Sequence, residues 1–301
     1  MRSLWMLVSA FFFSLMAAFT KLGAKEFGTF ELVFYRQIFA TTVIYVWVAL
    51  TGHTVRTPYL AGNIKRSIFG TIALLIWVYA LGALPLGTAM TLNYTSPLFM
   101  AAIATWLAVR AKQHVEGKLL MCVLAGFIGI LFVLKPDVGA EDVLAGFIGI
   151  WSGFFAALAQ FQVRQMTALH EPEWRIVFYF SLVGTIAALV GHFAYEGQLT
   201  PITSTNIWAL LGIAVSGVLA QLSLTRAWGG GNLLLTSSLQ FSAIVFAAII
   251  GFFVFDEPIS VFSGLGIALI VGSGLTATLE TKRKLRTSIP QKPSVKSSTK
   301  A

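Results

Sequence analysis

Apolar stretches of about twenty residues recur along this chain, each closed by a short polar or basic cluster. The runs 4–20, 37–55, 67–109, 143–163, 176–195, 197–225, 227–255 and 258–279 contain no Asp, Glu, Lys or Arg. A helix needs roughly 20 such residues to cross the hydrocarbon of a bilayer. The run 67–109 is long enough for two crossings, and the turn-forming segment 82–87 (GALPLG) divides it. The pattern predicts ten spans, near 4–21, 31–50, 66–83, 87–108, 118–134, 143–163, 176–195, 207–226, 232–254 and 260–279. Arg2 before an apolar run resembles the start of a signal peptide. The run is too long for that and ends at Lys21 without a small-residue cleavage site, so it is read as the first helix.

Composition turns this pattern into a solvent assignment. The chain is 57% hydrophobic and 11% charged, whereas soluble domains run near a quarter charged. No soluble fold hides that much apolar surface. The net charge of +9 comes from clusters at span edges, which points to membrane orientation and away from nucleic acid. With the N-terminus in the cytoplasm, Arg2, Arg56, Lys65, Arg66, Arg110, Lys112, Lys118, Arg164, Arg175, Arg226 and the seven basic residues of the tail fall inside. Only Lys21, Lys25, Arg36 and Lys135 fall outside, so both termini are expected in the cytoplasm. The tail, residues 281–301, has no apolar period and is expected to be disordered, either as a solvated topology signal or as a clamp on anionic lipid. The single cysteine, Cys122, rules out an internal disulfide and a cysteine-built metal site.

The fourth span differs from the others. It carries Asn93, Tyr94, Thr95 and Ser96 and then Pro97 near its middle. Proline lacks the N–H that would bond the carbonyl four residues earlier, here that of Asn93. A freed carbonyl beside polar side chains is tolerated inside a membrane only where protein or a cavity covers it. Pro97 is therefore read as a helix break, and this stretch as one wall of a substrate path.

An internal repeat supplies the second wall. Ser9-Ala-Phe-Phe aligns with Ser152-Gly-Phe-Phe, Val33-Phe-Tyr with Val177-Phe-Tyr, and Phe99-Met-Ala-Ala with Val245-Phe-Ala-Ala. The offset drifts by three residues along that length. Each copy would hold five helices, and an odd number inverts the second copy. Inverted copies place a binding site near the midplane between them. The expected units are 1–137 and 138–280, followed by the tail. The octapeptide VLAGFIGI at 123–130 and 143–150 is not part of this repeat, since it falls in consecutive antiparallel spans. Its small residues suit close helix approach.

These features bring the chain to a known family. Tyr35-Arg36 in the second span, Ser96-Pro97-Leu98-Phe99 in the fourth and Asp256-Glu257-Pro258 closing the ninth resemble EamA transporters of the drug/metabolite transporter (DMT) superfamily. The resemblance covers about residues 3–280. It implies an all-α integral membrane protein of ten transmembrane helices, built as two inverted five-helix EamA repeats. It also implies a place in the cell inner membrane and alternating access to small metabolites. One departure is clear: the fourth span ends in Val109-Arg110-Ala111-Lys112, where the family usually has a glycine-glutamate pair.

Candidate substrate contacts follow from polarity at depth. Arg36 lies about 9 Å inside its span at 1.5 Å per residue. It either holds a polar or anionic group or snorkels back to the surface. Gln160 either contacts substrate or bridges helices. Asn93, Tyr94 and Ser96, with Gln240 as the repeat counterpart of Tyr94, form a polar uncharged set with Gln221, Ser237 and Ser238. Trp77 and Tyr79 add flat faces, unless they only pack or sit at the interface. No Asp or Glu lies in the middle of a span, and His192 is near the end of one, which argues against a carboxylate relay for protons. Enzyme motifs fail: His170-Glu171 lacks a second histidine, and Gly229-Gly-Gly231 lacks the lysine of a phosphate loop.

The expected function is a secondary carrier of a small polar metabolite, with neutral or zwitterionic solutes favoured and a flat heteroaromatic such as riboflavin suited to the amide-rich set. The resemblance leaves room for an amino-acid, metabolite or drug exporter and for an S-adenosylmethionine-type uptake carrier. A non-transporting scaffold is the alternative of another class. No catalytic residue, metal or cofactor is expected. The partners are the substrate and the bilayer, with monomer and homodimer both open.

Overall fold

The computed structural model describes residues 2–96, 140–230, 239–258 and 260–287, with isolated positions at 98, 99, 102, 106, 110, 121, 124, 125, 128, 129, 132 and 236. These residues are all-helical. A 3₁₀ turn, Arg2–Leu4, leads into α1 (Trp5–Gly23), followed by α2 (Thr29–Thr51), α3 (Leu60–Ala83) and α4 (Leu86–Asn93). Then come α5 (Ala140–Ala168), α6 (Glu173–Gly191), a π-helical turn (His192–Glu196), α7 (Ile207–Gly230), α8 (Ser242–Phe255) and α9 (Val261–Thr287). Six of the described helices are long and apolar enough to cross a membrane.

The helix ends follow local chemistry. Gly52 closes α2 in the left-handed region at φ 68°, where its N–H reaches the Val48 carbonyl. Pro85 and Pro172 stand immediately before α4 and α6, where a missing N–H costs no helical bond. The first, second, third, sixth, seventh and eighth expected spans correspond to α1, α2, α3, α5, α6 and α7. The fifth span falls almost wholly outside the described residues. So do Pro97, Ser237 and Ser238, and with them the expected proline break itself. Within the described part of the fourth span, α4 stops at Asn93, and Tyr94 and Thr95 form a turn before helix resumes at Ser96. One expectation needs correction. Residues 281–287, assigned to the disordered tail, continue α9 as helix, because they include Lys, Leu and Arg, which are good helix formers, and no proline or glycine.

The bundle is interlocked across its two halves. Its most extensive pairings are α1 along α7, α3 along α5 and α2 along α6, and α1 also packs on α8. Small residues permit this. Ser9 Oγ donates to the Ala220 carbonyl (2.9 Å) and Ser14 Oγ to the Ala243 carbonyl (3.0 Å), so α1 lies close to α7 and α8. A Cβ added at Gly153 would sit 2.7 Å from the Leu92 carbonyl oxygen, so glycine lets α5 press on the end of α4. The outside of the bundle carries Leu50, Phe253, Val261 and Phe193, all exposed. Apolar surface on that scale matches lipid as the surrounding solvent.

Polar networks tie both ends. At the end bearing the N-terminus, Asn63 Nδ2 donates to Glu171 (3.0 Å), Glu171 pairs with Arg175 (3.4 Å), and Arg175 donates to the Thr54 carbonyl (2.9 Å). At the opposite end Lys21 Nζ lies 2.8 Å from Glu257 Oε1 and donates to the Leu84 carbonyl (2.7 Å). Glu257 Oε2 accepts the Leu86 N–H (2.7 Å). Asp256, left-handed at φ 51°, turns the chain after α8 and brings Glu257 back over Gly251. Glu196 accepts the N–H groups of Phe30 (2.9 Å) and Glu31 (3.1 Å) at the start of α2.

Candidate functional site

A cavity of about 80 Å³ lies among the helices, with walls from α1, α2, α3, α5, α6 and α7 and from the end of α4 and the turn after it. It brings together seven of the residues expected from the sequence: Arg36, Trp77, Asn93, Tyr94, Gln160, Gln221 and Gln240. Ser96 is fully buried directly behind the wall. Its hydroxyl accepts from Gln240 Nε2 (3.1 Å) and contacts the Gln160 amide through both oxygen and nitrogen (3.4 and 3.3 Å). Asn93 Nδ2 donates to Ser152 Oγ (3.2 Å), which donates in turn to the Gly149 carbonyl (2.7 Å). The turn at Tyr94 and Thr95 is what presents this set inward. Thr95 Oγ1 returns to the Leu92 carbonyl (2.6 Å) and satisfies one group that the ending helix leaves free.

Tyr79 is a correction. It is 41% exposed on the outer face of α3 and does not line the cavity. Trp77, two residues away, faces inward and is 3% exposed. The difference is helical geometry, since two residues are separated by about 200° around the axis. Trp77 packs edge-on to Phe13 with centroids 5.8 Å apart.

Arg36 resolves the alternative left by its position. It does not snorkel: it is 2% exposed, with Nε 3.2 Å from Met16 Sδ and Nη1 donating to Gln37 Oε1 (2.9 Å). A Cβ at Gly217 would come within 2.8 Å of its Nε, so that glycine makes room for the side chain.

The residue that sequence reasoning missed is Arg66. It stands at the edge of an uncharged run and was counted as a basic residue of the cytoplasmic face. In the structure α3 begins six residues earlier, and Arg66 is 3% exposed and lines the cavity. Its guanidinium lies 4.1 Å from the centroid of Phe180, and that of Arg36 lies 5.8 Å from the same ring. The available signal was the polar spacing Asn63, Arg66, Ser67 and Thr71, which falls on one helix face. All four are buried.

The electrostatics of this site are unbalanced. Among the described residues, no Asp or Glu lines the cavity. Arg66 Nε and Nη1, Trp77 Nε1 and Gln221 Nε2 are buried donors without a hydrogen-bond partner, against one orphan acceptor, Gln240 Oε1. Each unmet buried donor costs about 1–3 kcal/mol. The two guanidinium groups, 5.8 and 4.1 Å from one ring centroid, stand at most about 10 Å apart and repel by at least roughly 1.7 kcal/mol at an effective dielectric of 20. A desolvated cation–ring contact returns about 2 kcal/mol, which does not offset the other two.

A larger hollow of about 820 Å³ opens at the end bearing the N-terminus, between α2, α6 and α7. Its rim ions have partners, Arg2 with Glu173 (3.8 Å) and Glu171 with Arg175 (3.4 Å), and tryptophans 5, 47 and 174 line it. Volume alone would favour this hollow. The unpartnered polar groups favour the smaller one, because they are what a ligand would complete. Among the described residues, no cluster of His, Cys, Asp and Glu could hold a metal.

Comparison with known proteins agrees with this architecture. Residues 2–135 match the EamA-like transporter family. The pseudopaline exporter CntI of Pseudomonas aeruginosa is 29% identical over 265 residues, covering 88% of this chain and 91% of the exporter. The S-adenosylmethionine uptake transporter of Rickettsia bellii is 23% identical over 254 residues, covering 84% of each chain. A solved crystal structure with 18% identity superposes with a TM-score of 0.65 over 92% of this chain and 99% of its own, which shows a shared fold. The first part of this multi-pass membrane protein, residues 2–135, thus matches the EamA-like transporter family, and most of its length is similar to transporters.

Proposed function

We propose that the chain is a secondary carrier that moves a small polar metabolite by alternating access, through the cavity between its two halves. The observation that carries this reading is a buried polar cavity with walls from both halves. Arg36, Arg66, Trp77, Asn93 and Tyr94 come from the first and Gln160, Gln221 and Gln240 from the second. A scaffold would need only an apolar interior there. The packing also supports units 1–137 and 138–280 related by inversion. Exchanging α1 with α5, α2 with α6 and α3 with α7 turns the α1–α7 pairing into α5–α3 and leaves α2–α6 unchanged, and these are the three dominant pairings. Placement in the inner membrane with both termini cytoplasmic remains part of this reading and rests on the distribution of basic residues.

The cavity as it stands is far smaller than the roughly 300–1,000 Å³ of a typical small-molecule site. It holds a substrate head group, and the halves must part to admit the rest. Riboflavin gains no support. The named cargoes of the relatives are pseudopaline and S-adenosylmethionine, and the two arginines do not match a neutral ring system. Export and uptake suit the geometry equally.

The test is a thermal-shift screen of the purified chain against metabolites, with hits carried into flux measurements in liposomes. Asn93→Leu with Gln240→Leu should abolish flux of any hit while the protein keeps its level in the membrane. Undiminished flux in that double variant would overturn the reading.

A further inference from the structure

Arg36 and Arg66 enter the bundle from opposite ends. Arg36 is one to two turns into α2 and Arg66 the same distance into α3, and both reach the Phe180 ring in the middle of α6. Two buried guanidinium groups on one ring, with no acid among the described lining residues, form a concentrated positive site. The unpartnered donors sharpen its chemistry. Arginine and indole nitrogens can only donate, and the Gln221 amide can turn either way. What is missing is therefore an acceptor carrying negative charge. The cavity of about 80 Å³ is the size of two to three waters, at ~30 Å³ each in the liquid. That is room for a carboxylate.

We infer that the Arg36–Arg66 cavity is a carboxylate subsite, so that the substrate is an organic acid or a zwitterion recognised by its carboxylate. This rests on the carrier reading and narrows it. It also replaces the sequence-based preference for neutral amide recognition with an ionic one. Trp77 Nε1 and Gln221 Nε2 complete the donor set on the flanks. Gly70 is part of the device. A Cβ there would lie 2.6 Å from Arg66 Nη1 and 3.0 Å from Phe180, so glycine lets the guanidinium lie flat between α3 and the ring.

The experiment uses the full chain in lipid nanodiscs and pairs of acids with their amides: acetate with acetamide, succinate with succinamide, and L-glutamate with L-glutamine. Inorganic phosphate is a further probe, and ionic strength is held constant. At least one acid should raise the melting temperature in a dose-dependent way while its amide does not. Arg66→Met and Arg36→Gln should each weaken that acid by tenfold or more, since hydrogen bonds to charged groups are the strong class. Trp77→Phe, which removes one donor and keeps the aromatic volume, should weaken it about three- to tenfold. This variant serves if an arginine variant fails to fold. A merely structural Arg66 predicts the opposite signature: the Met variant would melt lower without ligand and keep its response to acids. Here the ligand-free Met variant should melt no lower than the parent, because an unpaired buried cation is removed. Equal response to acid and amide, no response to any acid, or a stronger response to phosphate than to every acid would overturn the inference. Acid binding without flux in liposomes would leave the subsite standing and remove the carrier reading. Flux that treats acids and amides alike would do the reverse.

Discussion

Lys21→Met tests whether the contacts opposite the N-terminal end hold the carrier shut. The Lys21 ammonium joins α1 to two other elements at once, Glu257 after α8 (2.8 Å) and the Leu84 carbonyl before α4 (2.7 Å). Glu257 is anchored in turn by the Leu86 N–H (2.7 Å). Both charged side chains are 19% exposed, so most of their surface is out of water. A hydrogen bond to a charged group contributes about 1.5–3 kcal/mol. Only the Lys21–Glu257 contact joins the first half to the second, and discounted for partial exposure it leaves about 1–2 kcal/mol. It would break as that end opens, so its loss should raise the open population roughly 5- to 30-fold, at 1.4 kcal/mol per factor of ten. The assay replaces Cys122 by alanine and places a cysteine at Ala73, which is 5% exposed and lines the cavity. Labelling by a membrane-impermeant maleimide should speed up by that factor from the side of Lys21 and not from the other. Glu257→Gln, which removes the charge and keeps an acceptor for the Leu86 N–H, should speed labelling from the same side. Unchanged labelling, or equal acceleration from both sides, would refute the reasoning, because it would mean that the pair does not gate one end.

Two further outcomes follow from the cavity wall. Ser96→Ala leaves the Gln160 and Gln240 amides without their shared hydroxyl. It should cost about 1–3 kcal/mol of stability, read as a lower melting temperature, and should weaken any cavity ligand. Gly153→Ala drives a methyl to 2.7 Å from the Leu92 carbonyl oxygen, where backbone has to move. It should cost about 1–3 kcal/mol and lower the amount of folded protein in the membrane, measured by detergent-solubilised yield and melting temperature.

The outcome at particular residues shows where sequence reasoning reaches its limit. Trp77 and Tyr79 are both aromatic, both in one apolar span, and equivalent by composition. Helix rotation turns one into the cavity and the other toward lipid. The long runs of α2 and α6 are apolar on every side, so no amphipathic stripe reveals which face is inside. Arg66 was hidden by a boundary. Its run of uncharged neighbours begins one residue later, and only the polar spacing from Asn63 to Thr71 hints that α3 starts before it, at Leu60. Glu257 looked like an interfacial acid of the Asp256-Glu257-Pro258 motif. Only the left-handed Asp256 and the approach of Lys21 give it a role. The polar residues of the fourth span were the readable part, because Asn93, Tyr94 and Ser96 in an apolar run have to be covered by protein.

By itself the sequence determined the solvent and the helical class, because a bilayer demands about twenty apolar residues per crossing and forbids unpaired backbone. Tertiary structure alone decided which polar side chains meet. Arg36 and Arg66 are thirty positions apart and enter from opposite ends, yet they share the Phe180 ring in the other half of the chain. Charge at a site is a sum over neighbours in space, and a membrane helix whose faces are all apolar does not encode its own rotation.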